Sequence, residues 1–296
     1  VILEEREWLS RRAAHEARVA PWIEPRLARM SRGERHAVDD FLFEYYSYRP
    51  GQLRRWHPGL DVEILGPSAE EYLALPQYRR GPAGGVIVAV ESLKPERFVF
   101  VRWLRDLLVA VRERPPFFGC SGLHEWAMVY RSEEIRHERW PLRLGAEGTA
   151  AVVDSLPVRC SHYDAFRFFT PAARPLNKLQ PERATTPQLE QCGCLHANMD
   201  LYKWAYKLAP FASSELVTDA FALAREIREL DMRASPYDLR AMGLQPVAIE
   251  TPEGRAEYEA LQREFSRRAG PIRARLICLC EALLEMSEES LKAAAR

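Results

Sequence analysis

Residues 192–210 read Cys-Gly-Cys-Leu-His-Ala-Asn-Met-Asp-Leu-Tyr-Lys-Trp-Ala-Tyr-Lys-Leu-Ala-Pro. Placed on a helix at about 100° per residue, His196, Asp200, Lys203 and Lys207 fall in a stripe roughly 60° wide. Leu195, Met199, Tyr202 and Tyr206 line one flank of that stripe, and Leu201, Trp204 and Leu208 line the other. A surface helix has one apolar and one broad polar face. A narrow His/Asp/Lys file between two apolar bands instead predicts a helix packed on both sides. Two readings of the file stand: polar residues that satisfy one another in a core, or a polar wall facing an enclosed pocket.

Working outward, helical periodicity recurs on both sides. Ser213-Ser214-Glu215 opens a predicted helix to about Met232 with Leu216, Ala220, Leu223, Ile227 and Leu230 on its apolar face. Ser92 caps another to about Arg114, carrying Phe98, Val101, Leu104, Leu108 and Val111, and Pro115-Pro116 stops it. Pro252 begins a long C-terminal helix with an expected break at Gly270-Pro271. Residues 2 to about 31 read as a helix that Pro21 and Pro25 kink or divide, and a short helix around Phe41, Tyr45 and Tyr48 has Asp39 and Asp40 at its N-terminus. Short strands are expected at Asp61–Leu65 and Gly85–Val90, and one more at Pro246–Thr251. The fold class is therefore mainly α, a multi-helix globular domain with a few short strands. We expect a single α-rich domain over 1–296, with an N-terminal helical arm over about 1–35 and a soft boundary near 81–92.

Composition narrows the function classes. Forty-two basic and forty-two acidic side chains leave no net charge, so any contact with a polyanion must come from a local patch. No apolar run approaches a membrane span and the first residues are charged, so no membrane partner is expected and the expected compartment is the cytoplasm. Six cysteines in 296 residues are no disulfide framework. The basic residues are 37 arginines and five lysines, yet Lys178, Lys203 and Lys207 gather around the helix quoted above. Lysine is a compact, deprotonatable point charge, which arginine is not.

The remaining chemistry lies between Cys120 and Asp238. His124-Glu125 opens a predicted helix behind the Gly119-Cys120-Ser121-Gly122 turn, and His137 and Trp140 lie in a basic and aromatic loop after it. Arg159-Cys160-Ser161-His162-Tyr163-Asp164-Ala165-Phe166-Arg167 alternates as an extended segment would. Residues 170–191 form a proline-rich loop long enough to be the wall or lid of a site. Arg228 to Asp238 crowds opposite charges against a turn, either as a buried ion-pair knot or as a carboxylate held by arginines at a pocket rim. Three segments pair histidine with a carboxylate, His124 with Glu125, His162 with Asp164, and His196 with Asp200, a pairing that serves acid/base work. Cysteine accompanies the same three histidines, so zinc or iron held by Cys/His donors is an alternative to the expected absence of a cofactor. Tyr45, Tyr46, Tyr48, Arg49, Arg54, Arg55, Trp56 and His57 interleave rings with cations, as packing or as a nucleobase and phosphate surface.

Residues Leu123–Tyr130, Cys160–Pro171 and Cys194–Pro210, with Asp40-Phe41-Leu42 and Leu230–Leu239, resemble a family of about this length labelled 3-methyladenine DNA glycosylase. The resemblance covers most of the chain. The helix-hairpin-helix glycine hairpin of the large glycosylase superfamily is absent from the sequence, and so are stacked helical repeats. The resemblance implies a hydrolase in DNA repair that releases a modified purine from DNA, a nucleoside or a nucleotide. Such an enzyme needs rings around a cationic base and a carboxylate for the oxocarbenium-like sugar. On that implication Asp200 is the carboxylate, with Asp164 second, and His162 and His196 orient it or the water. Tyr163, Tyr202 and Trp204 stack the base, while Arg167, Arg174, Lys203 and Lys207 meet phosphate. Two other classes remain: a metal-dependent enzyme built on the Cys/His/Asp clusters, and a non-catalytic helical binding protein.

Overall fold

A computed structural model describes residues 1–132 and 140–294, with side chains to residue 287. His137 lies outside the described residues. The chain is mainly α, as its periodicity predicts, and its contacts divide it into two units. The first takes Val1–Leu108, Leu201–Ala222 and Pro271–Arg296, and the second Val109–Asp200 and Leu223–Gly270.

In order, the elements are β1 (Ile2–Leu3), α1 (Glu5–Ser31), α2 (Phe41–Tyr45), α3 (Pro50–Arg54), β2 (Glu63–Ile64), β3 (Tyr78–Arg80), β4 (Val86–Val88) and α4 (Pro95–Glu113). They continue with α5 (Leu123–Ala127), α6 (Gly145–Ser155), α7 (Tyr163–Phe166), α8 (Thr186–Leu189), α9 (Leu195–Lys207), α10 (Ser214–Arg233) and α11 (Pro252–Ala294).

In the first unit, α1 buries Trp8, His15, Val19 and Ile23, a stripe at helical spacing. The helix runs from Glu5 to Ser31 without the division that the prolines suggested, and its buried residues all precede Pro25. The Trp8 ring stacks on Trp56 with centroids 6.1 Å apart. The sheet has the order β1-β2-β4-β3, with β1 parallel to β2 and the other pairs antiparallel. β3 and β4 join through residues 81–85, where the Glu63 carboxylate accepts the backbone N–H groups of Ala83 and Gly85. A Cβ at Gly85 would lie 2.4 Å from the Ile64 carbonyl oxygen, so only glycine fits there. The ring-and-cation segment 45–57 is largely packing: Tyr46, Tyr48 and Trp56 are buried, and Tyr46 and Tyr48 meet Tyr202 edge-on.

In the second unit, α5 enters through Gly122 in the left-handed region (φ 67°), and all five of its residues are buried. The Trp126 indole donates to the Ala234 carbonyl at 2.8 Å, tying α5 to the residue that follows α10. Residues 163–166 are helical where alternation predicted an extended strand, with the N–H of Phe166 donating to the His162 carbonyl at 3.0 Å. Four residues are too few for helical periodicity to show in sequence. The long loop is pinned by Asn177, whose amide exchanges hydrogen bonds with the Cys160 backbone at 2.7 and 2.9 Å.

Two further expectations are corrected. Residues 246–251 form no strand. α11 passes through Gly270-Pro271 without a break, and the buried residues Ala269, Ile272, Leu276, Cys280 and Leu283 keep their helical spacing across it. Among the described residues no helix is long and apolar enough to cross a membrane.

Candidate functional site

The second unit gathers the three histidine-bearing segments. α5 supplies His124 and Glu125, the residue capping α7 is His162, and the first two turns of α9 supply His196 and Asp200. The His124 and His196 rings meet edge to face with centroids 4.5 Å apart, and the His162 and His196 rings are 5.3 Å apart. His162 Nε2 lies 3.2 Å from Glu190 Oε1 and 3.4 Å from Asp200 Oδ2, with all three side chains buried. The last turns of α10 add Asp231 and Arg228. One guanidinium nitrogen of Arg228 reaches Glu125 Oε1 at 3.1 Å and Asp231 Oδ2 at 3.2 Å. The other Asp231 oxygen, Oδ1, is 2.8 Å from His124 Nε2.

A small cavity of about 20 Å³ opens beside these groups. Its wall includes Cys120, His124, Cys160, Cys194, His196 and Tyr258, with Arg159, Ser161 and Gln191 also bordering it. That volume has room for one water. The Gln191 side chain is fixed by the N–H groups of Phe117 at 2.9 Å and Gly193 at 2.6 Å. The loop 170–191 thus ends in one wall of the cavity.

Burial sets the charge states. For Asp231, burial works to raise the pKa, but the charges of His124 and Arg228 outweigh it and hold the carboxyl well below its usual range. For His124 burial works downward, and the Asp231 carboxylate overcomes it and raises the imidazole above its ordinary value. For His196, burial first and then the adjacent His124 push the pKa down to about 3, so this ring is neutral throughout the physiological range. Burial raises the thiols of Cys120 and Cys194 and takes Cys160 to about 12, so none of the three is a ready thiolate nucleophile.

Of the residues singled out in sequence, His162, His196, Asp200 and Glu125 come together here, but in altered roles. Asp200 is not at the cavity wall and instead holds His162. Asp164 pairs with Arg167 at 3.1 Å, and Arg167 also covers the Phe168 ring at 4.1 Å. Tyr163 is half-buried and away from the cavity wall, and Arg174 donates to the Arg167 carbonyl at 3.2 Å. Tyr202, Trp204, Lys203 and Lys207 belong to the first unit. There Lys203 Nζ sits 4.4 Å from the Trp204 ring centroid and Lys207 Nζ 5.8 Å from that of Phe100. Tyr163, Tyr202 and Trp204 therefore do not line this cavity, and among the described residues its one six-membered aromatic ring is that of Tyr258.

Arg228 and Asp231 lie in the segment read in sequence as a buried ion-pair knot or a carboxylate held by arginines, and they form a buried ion pair, but they were not assigned to the site; Glu190 was not singled out. Asp231 had a signal: it falls four residues after Ile227, on the apolar face of α10, where a carboxylate is costly unless paired. Glu190 had none, since it lies in a loop and reaches His162 only through tertiary structure. A metal could be held by His124, His196 and Asp231, whose donor atoms all lie within 4.8 Å of one another. Comparisons with family models, with curated proteins and with solved structures find no match.

Proposed function

We propose that this protein is a hydrolase whose water-holding centre is the buried histidine and carboxylate cluster, and that it cleaves the N-glycosidic bond of a modified purine nucleoside or nucleotide. The observation that supports the reading is the convergence of three histidine segments, distant in sequence, on one water-sized cavity. The bond assigned rests on the resemblance given above.

The neutral His196 ring borders the cavity and orients a water there. His162, set behind it between two carboxylates, is the positioning partner that fixes His196, and Asp200 and Glu190 fix His162. A purine is far larger than about 20 Å³. The base and sugar therefore stay at the mouth, among Arg159, Ser161 and Gln191, and only water reaches the floor. The absence of net charge favours a nucleoside or nucleotide over duplex DNA, which demands several phosphate contacts.

The test is chromatographic release of free base from methylated purine nucleosides, from their nucleotides and from alkylated duplex DNA. Release is expected from the small substrates, with a loss of about 100-fold or more in His196→Ala, the scale of a positioned acid/base group, while circular dichroism stays unchanged. Release from none of the three overturns the reading, and release from the duplex alone overturns its substrate class.

A further inference from the structure

His124 Nε2 and Asp231 Oδ1 form a close buried pair. They lie 2.8 Å apart, and both residues are buried, at 6% and 1% exposure. They are paired by charge, but no aligned hydrogen bond joins them, and neither atom has another hydrogen-bond partner among the described residues. The ring N–H direction misses the oxygen, so the two atoms do not point at each other. Two ligands of one cation are arranged in this way: close together, and aimed at a shared third point.

We propose that His124, Asp231 and His196 form a site for a divalent transition-metal ion. Four observations carry it. The three donor atoms lie within 4.8 Å of one another, and ligands about 2.0–2.2 Å from a common ion are separated by no more than that. The 2.8 Å pair matches two neighbouring ligands of such an ion.

Asp231 is also presented as a ligand. Its Oδ2 is held by Arg228, itself anchored on Glu125, which leaves Oδ1 directed away from the arginine. This is the outer-shell support that orients ligating carboxylates. In addition, His124 and His196 border the cavity, so an ion at this point keeps at least one position open to water. The chemistry of the set fixes the class of ion. Two imidazoles and one carboxylate suit zinc, ferrous iron, cobalt or manganese, whereas calcium and magnesium prefer an all-oxygen shell. Cys120, Cys160 and Cys194 line the same cavity but share no three-donor group with these residues among those described. The ion is therefore held by nitrogen and oxygen rather than sulfur. The site stands on ligand geometry and not on which bond the protein cleaves.

The full chain, stripped with a chelator, is titrated with cobalt(II) and with zinc(II), read by visible absorption and by calorimetry. One equivalent is expected to bind with a dissociation constant in the micromolar range or tighter, raising the melting temperature, while magnesium at the same concentration does neither. The cobalt spectrum should show ligand-field bands without the intense near-ultraviolet sulfur charge transfer. His196→Ala should weaken binding at least about 100-fold, and His124→Gln provides a second variant should the first fail to fold. No binding by the parent chain overturns the proposal. So does binding that survives both histidine variants, and so does a sulfur charge-transfer band that vanishes in Cys160→Ser. Base release and metal binding are read separately, so either can fail without the other.

Discussion

Residues 195–200 of α9 and residues 201–207 of the same helix carry a similar mixture of polar and ring side chains but put it to opposite uses. In the first half His196 and Asp200 join a buried cluster of imidazoles and carboxylates. In the second half Tyr202 packs edge-on against Tyr46, Tyr206 and Phe221, and Lys203 and Lys207 lie over rings. One file of polar residues along one helix thus does not report one site. What separates the halves is what meets each side chain: charged and imidazole partners in one, ring faces in the other.

The largest effect should come from breaking the charge balance of the first half. Arg228 is the guanidinium between Glu125 and Asp231, and all three are buried. Arg228→Met fills a similar volume but takes the buried cation from Glu125 and leaves Asp231 with His124 alone, and breaking a buried pair costs about 3–5 kcal/mol. Urea unfolding should show that loss in its midpoint. A loss below about 1 kcal/mol, within the range of an exposed ion pair, would mean that the arginine does not hold the carboxylates in place.

The same contrast decides how much was legible in sequence. α9, α10 and the apolar stripe of α4 were readable because each spans several turns, over which a 3.6 period is unmistakable. β1 and β3, at two and three residues, and α7, at four, are shorter than any period that could reveal them. For the site, the convergence of His124, His162 and His196 followed from histidines recurring beside carboxylates. The partners did not follow. Asp164 is the sequence neighbour of His162, yet the carboxylates that meet its ring are Glu190 and Asp200, and the one that meets His124 is Asp231 rather than Glu125. Adjacency in sequence places two side chains on different sides of a short helix, and only the packing of separate elements chooses the contact.

Proton binding sharpens the comparison from the side of the first unit. His57 there stacks on Tyr78, and its Nδ1 is 2.7 Å from the Tyr78 hydroxyl. Burial, then the charge of Arg55, takes its pKa down to about 4 from an ordinary 6.5. The unfolded chain therefore binds a proton that the folded chain refuses, and stability present above pH 6.5 drains away as the pH falls toward 4. At 1.36 kcal/mol per unit the limit is roughly 3 kcal/mol. His15, also depressed by burial, adds to the same trend, so the measurement is a difference. His57→Gln should flatten the dependence of the urea midpoint between pH 7 and pH 4.5 relative to the parent chain. Equal slopes would show that His57 takes its proton without disturbing the fold.

The smallest effect has the opposite sign and probes the aromatic half of α9 directly. The Tyr202 side chain is fully buried, and its hydroxyl has no hydrogen-bond partner among the described residues, whereas the Tyr206 hydroxyl one turn later donates to the Tyr46 carbonyl. Removing an unpartnered buried hydroxyl relieves a desolvation cost, while removing a bonded one forfeits a bond worth about 1 kcal/mol. Tyr202→Phe should therefore leave stability unchanged or raise it by about 1 kcal/mol, and Tyr206→Phe should lower it by a similar amount. The ring stacking is preserved in both, so the difference isolates the hydroxyls. If the two substitutions cost the same, the Tyr202 hydroxyl is satisfied by a buried water, and the second half of α9 shares the polar character of the first.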